Sequence, residues 1–151
     1  MPRVLVICIG NTLRCDDGFA WHVADELSPQ ATDNLRILKV LQLTPELAEA
    51  ISEAALIIFV DAAAHGEPGT LTCDPVASSE SDLRYSHDFT PATLIQMAKT
   101  LYGKHPKAFL ICAAGKVFEH GESLSPEIEG ALPTAVARVR ELMREAREEG
   151  V

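Results

Sequence analysis

The chain predicts an α/β fold, a single three-layer domain (1–151) in which a twisted, mostly parallel sheet lies between helices. Three observations carry this. Residues 4–9, 56–60 and 108–114 are continuously apolar, as strands buried on both faces are. Stretches with helical spacing of apolar residues separate them. The two kinds of segment alternate, which is the pattern of strands joined by crossover helices. With 151 residues, 47% of them hydrophobic, the chain can bury a core without staples.

The first strand, Val4-Leu5-Val6-Ile7-Cys8-Ile9, stops at Gly10-Asn11 and is followed by Asp16-Asp17-Gly18. Ala20, Val23, Ala24 and Leu27 then follow i, i+3, i+4, i+7 spacing, a helix that Ser28-Pro29 closes. Residues 35–43 alternate apolar and polar like a strand. Thr44-Pro45-Glu46 supplies an N-cap, an N1 proline and a first-turn acid for a second helix that turns Leu47, Ala48 and Ile51 inward. The most apolar run, Leu56-Ile57-Ile58-Phe59-Val60, ends on Asp61. The Gly66-Glu67-Pro68-Gly69 turn leads into a sheet-edge strand over 70–76, and 78–82 is a polar loop. Thr90-Pro91 caps a third helix with Leu94, Ile95, Ala98, Leu101 and Tyr102 on one face. After the strand at 108–114, a loop rich in Gly, Ser and Glu runs to Gly130. Pro133 then opens the last helix, with Val136, Val139, Leu142, Met143 and Ala146 inward.

Thirteen basic and 22 acidic residues give a formal net charge of −9, which repels phosphate backbones and anionic lipid, so no nucleic-acid or membrane partner is expected. Cys8, Cys15, Cys73 and Cys112 form no C-x-x-C pair, which fits a reduced compartment. No charged leader with a cleavable apolar segment precedes the first strand, and no apolar run approaches a membrane span; a soluble, cytoplasmic protein is expected. The core assignments leave no apolar stripe over, so a monomer is expected.

Asp16 or Asp17, Asp61 and His87 form the candidate site: carboxylates just beyond two strand tips and an imidazole on a loop before a helix. Two carboxylates and an imidazole suit a borderline divalent metal, and three ligands leave coordination positions open. Each residue also has an ordinary reading. Asp16-Asp17 caps a helix, Asp61 bonds its own turn, and His87 is a solvated loop histidine. His22, His65, His105 and His120 lie on an outer helix face or in loops and are not assigned. Cys15 is a rival nucleophile near a helix start, but its carboxylate neighbours disfavour the thiolate. Gly10-Asn11 lacks the G-x-G-x-x-G fingerprint and the phosphate-loop lysine, and two aspartates repel a pyrophosphate, which counts against a nucleotide site.

The run Gly10-Asn11-Thr12-Leu13-Arg14-Cys15-Asp16-Asp17-Gly18 resembles the G-N-x-L-x-x-D-D-G signature of the hydrogenase maturation endopeptidases. Asp61 after its strand, the Pro68-Gly69-Thr70-Leu71 turn, Ser86-His87, and Leu124-Ser125-Pro126-Glu127 follow in the family's order and extend the resemblance over most of the chain. Phe19-Ala20 departs from the second glycine common in the family, and alanine is small enough to preserve close helix packing. His87-Asp88-Phe89-Thr90-Pro91 and the Phe118-Glu119-His120-Gly121-Glu122 loop resemble only part of the family, as marks of partner choice.

The resemblance implies a twisted sheet between helices, metal-binding and catalytic positions at Asp17, Asp61 and His87, and a role for Asp16 as a support or cap. It implies an endopeptidase that trims the C-terminal extension of the precursor of a nickel–iron hydrogenase large subunit after nickel insertion. The nickel belongs to the substrate and is ligated transiently as a recognition mark. The competing expectations are a non-enzymatic nickel-binding assembly factor with the same ligands and, more remotely, a small nucleotide-binding domain.

Overall fold

The computed structural model describes residues 3–78 and 89–150. Five strands form one sheet: β1 (Val4–Ile9), β2 (Leu35–Val40), β3 (Leu56–Ala63), β4 (Leu71–Pro75) and β5 (Lys107–Ala114), in the order β2-β1-β3-β5-β4. All pairs are parallel except β4 with β5, so the expected edge strand is an antiparallel one. The helices are α1 (Phe19–Leu27), α2 (Leu47–Ser52), α3 (Pro91–Tyr102) and α4 (Pro126–Glu148).

Alternation along the central strands divides the core. Val4, Val6 and Cys8 of β1 with Leu56, Ile58 and Val60 of β3 pack under α1 and α4. Leu5, Ile7, Ile57 and Phe59 pack under α2 and α3. The three-layer arrangement read from the sequence is thus present. Each fully buried Ile or Phe contributes about 1.5–3 kcal/mol, and the run over 56–60 is buried throughout. That surplus lets β3 carry a half-buried carboxylate, Asp61, at its far end. Ala20 is fully buried in α1, so alanine does serve where the family favours glycine.

Four expectations change. Strand β2 ends at Val40, and residues 41–44 leave the sheet. Helix α2 starts at Leu47: Thr44 and Pro45 accept backbone bonds from Leu47 and Ala48 as a turn, and no side chain caps the helix. Leu101 and Tyr102, in the last turn of α3 before the left-handed Gly103, are 63% and 46% exposed and not on the buried face. Most important, α4 begins at Pro126, with Ser125 as its N-cap, and Pro133 lies inside the helix rather than opening it. Among the described residues, no helix is long and apolar enough to cross a membrane.

Candidate functional site

In this sheet the chain leaves β1 for β2 on one side and returns to β3 on the other. Such a reversal opens a crevice beyond the carboxyl ends of the two strands, where ligands of open α/β sheets bind. A cleft of about 630 Å³ lies there, with Gly10, Asp17, Leu41, Asp61, Phe89 and Thr90 among its lining residues. The structure therefore brings together Asp17 and Asp61, which stand 44 positions apart in the chain.

Asp17 rides on a 3-10 turn, Cys15–Gly18, between β1 and α1. The Asn11 amide donates to its Oδ2 at 3.0 Å and to its carbonyl oxygen at 3.2 Å. Gly10 makes this closure possible. Its φ is +156°, and a Cβ there would stand 1.9 Å from the Asp17 carbonyl oxygen.

Asp61 sits near the end of β3, in register with Cys112 of β5. Its Oδ1 accepts from the Ala62 amide at 2.8 Å, the local bond that the sequence offered as its ordinary role. Burial pushes its carboxyl up to about 6, the Ala62 bond works against this, and the charge of Asp17 adds to the rise. Two carboxylates thus share one partly dehydrated cleft and repel each other, an arrangement that a divalent cation relieves.

Asp16, next to Asp17, is wholly buried and turned away from the cleft. Its Oδ2 accepts from the Lys116 and Val117 amides at 2.7 and 3.0 Å and from Ser125 Oγ at 2.8 Å; its Oδ1 accepts from the Ser125 amide at 2.7 Å. Burial raises this carboxyl, but the four bonds outweigh it and hold the group below its ordinary value. Cys15 is buried at φ +48° and donates its amide to Gly121.

His87 lies outside the described residues. Phe89, Thr90 and Pro91, the residues that follow it most closely among those described, line the cleft, and Thr90 forms a capping box with Thr93. Among the described residues no three His, Cys, Asp or Glu side chains gather as a metal-holding group. His65, His105 and His120 are exposed.

Sequence reasoning missed the partners of Asp16, which lie about a hundred positions away. The one available signal was Ser125-Pro126, the same cap-and-proline pair as Thr90-Pro91.

No family model matches the chain. The hydrogenase expression/formation protein HupD of Rhodobacter capsulatus is 33% identical over 153 aligned positions, which cover 93% of this chain and 71% of that protein. The protein of the same name from Rhizobium leguminosarum bv. viciae is 29% identical over 155 aligned positions, which cover 95% of this chain and 75% of that protein. Among solved structures, the hydrogenase 2 maturation peptidase of Thaumarchaeota archaeon SCGC_AB-539-E09 superposes with a TM-score of 0.70 at 29% identity, over 93% of this chain and 97% of that one. The hydrogenase maturating endopeptidase HybD of E. coli, at 22% identity, shares the fold with a TM-score of 0.78 over 95% of this chain and 93% of that one. On these relatives and this fold, the chain belongs to the hydrogenase maturation endopeptidase family.

Proposed function

We propose that this peptidase removes the C-terminal extension of the precursor of a nickel–iron hydrogenase large subunit after nickel has been inserted, and that Asp17, Asp61 and His87 recognise the nickel as transient ligands. The observation that carries this reading is the pair of carboxylates, Asp17 and Asp61, delivered from two strand ends into one cleft at the reversal point of the sheet. Their mutual repulsion favours a site that gains by meeting a cation. His87 fits as third ligand because Phe89 and Thr90 bring the chain to the cleft wall just after it. A set of two oxygens and one nitrogen suits a borderline divalent metal and leaves room for the ligands that the substrate itself supplies.

In this reading the metal arrives with the substrate, and the protein's residues orient it. Asp17 is held by the Asn11 amide and Asp61 by the Ala62 amide, so among the described residues each carboxylate keeps one oxygen bonded to the backbone and one to offer. Docking on the nickel sets the scissile bond beside the cleft, where either the metal, by polarising the carbonyl or activating a water, or a carboxylate acting as general base would promote hydrolysis. Membership in a peptidase family sets aside the non-enzymatic assembly reading.

The test uses purified protein and unprocessed, nickel-loaded large subunit, with products read by mass spectrometry. The wild type releases a single C-terminal peptide, and Asp17→Asn and His87→Ala each lower kcat/KM at least a hundredfold. Cleavage at the normal rate by either variant removes that residue from the site.

A further inference from the structure

Asp16 is the one wholly buried carboxylate among the described residues, and the partners of its oxygens are all neutral: three backbone amides and one hydroxyl. Every one of them belongs to the connection between β5 and α4. The backbone ties the same two segments together. The Asp16 amide donates to the Val117 carbonyl and the Cys15 amide to the Gly121 carbonyl, while the Gly121 amide donates to Leu13. Arg14 Nε adds a bond to the Phe118 carbonyl. Gly121 has φ +150°, and a Cβ there would come within 3.0 Å of Cys15 Sγ, so the two segments touch closely. Cys15 itself holds φ +48°, a conformation that a non-glycine residue keeps when its surroundings impose it. The turn that presents Asp17 is therefore not set by its own sequence alone; it is pinned from outside, through Asp16.

We propose that Asp16 is a positioning residue: its bonds to Lys116, Val117 and Ser125 fix the Cys15–Gly18 turn so that the Asp17 carboxylate faces the cleft. The inference rests on the reading of Asp17 as a ligand for the substrate's nickel. It adds that the β5–α4 connection, which contributes no lining residue to the cleft, controls how well the cleft takes its substrate. Asparagine at position 16 presents an amide group where either Ser125 or the Lys116 and Val117 amides require an acceptor, so the turn loses part of its anchorage.

A role confined to folding reduces the fraction of active molecules and leaves KM unchanged. A positioning role raises KM, because correctly folded molecules dock nickel poorly. Amide hydrogen exchange adds a readout that does not depend on activity, since the Asn11 amide is bonded to Asp17 Oδ2 and to its carbonyl. In Asp16→Asn, KM for nickel-loaded precursor rises at least tenfold. The Asn11 amide exchanges at least tenfold faster, while the amides of Ile57, Ile58 and Phe59 in β3 stay within twofold of wild type. Unchanged KM, or β3 amides that accelerate as much as Asn11, overturns the proposal. Ser125→Ala and Ser125→Thr carry the test if Asp16→Asn does not fold. The alanine raises KM at least threefold and the threonine, which keeps the hydroxyl, restores it; equal KM values in the two overturn the proposal. A wild-type protein that cleaves no precursor defeats the proposed function instead, and Asn11 exchange in the same variants still decides the role of Asp16.

Discussion

Asp16 and Asp17 are neighbours in the chain with opposite surroundings, and no property of the dipeptide distinguishes them. A sequence reader sees two equivalent carboxylates before a helix. The family resemblance chose Asp17 as the ligand, and the physical difference between the two comes from the β5–α4 connection, which claims both oxygens of Asp16 and leaves Asp17 in the cleft. Asp61 was legible because the apolar run of β3 stops at it. Its raised carboxyl leads to a prediction about stability. The native state binds the Asp61 proton more tightly than the unfolded chain does, with a value of about 6 against an ordinary 3.8. Ionising the group therefore costs native stability, fully above pH 6 and not at all below about pH 4. Asp61→Asn, neutral throughout, is expected to melt at a higher temperature than wild type at pH 7.5, with the difference shrinking as the pH falls to 4. Thermal denaturation at both pH values checks this, and a lower melting temperature at pH 7.5 contradicts it. In the proposed function, the site gives up stability for its chemistry.

At the scale of elements, β1, β3 and β5 were readable because strands of a parallel sheet covered on both faces are apolar without interruption. The helix ends were harder, because one local signal has more than one outcome. Thr90-Pro91 and Ser125-Pro126 both start helices, whereas Thr44-Pro45 makes a turn that lines the cleft before α2 begins. Gly130 and Pro133 hid the first two turns of α4, which tertiary packing of Ile128 and Ala131 keeps helical. An exposed proline inside a helix lacks one backbone donor and crowds the preceding turn. Pro133→Ala is expected to stabilise the protein by about 1–3 kcal/mol in urea unfolding, and an unchanged or lower midpoint contradicts this. In the β1–α1 connection the reverse holds. Gly10→Ala sets a methyl group against the Asp17 carbonyl and is expected to destabilise by about 2 kcal/mol or more; a loss under 0.5 kcal/mol in the same measurement means that the loop rearranges freely.

For the whole molecule, the strand order decides where chemistry happens. Because β1 sits between β2 and β3, the chain reverses direction across the sheet at β1, and a crevice opens beyond the carboxyl ends of β1 and β3, into which Asp17 and Asp61 both fall. The sequence pattern indicated the layers and the strand tips that bear carboxylates, but not this order, since pairing between distant strands leaves no local trace. His87, proposed as the third ligand, lies outside the described residues, and that proposal rests on the family resemblance and on Phe89 and Thr90 at the cleft wall. In the proposed function, nickel on the substrate is what the cleft recognises. The most direct measurement is mass spectrometry of the precursor after incubation with the wild-type protein, with and without nickel loading. The nickel-loaded precursor is expected to lose one C-terminal peptide while the nickel-free precursor stays intact, and equal cleavage of the two contradicts the account.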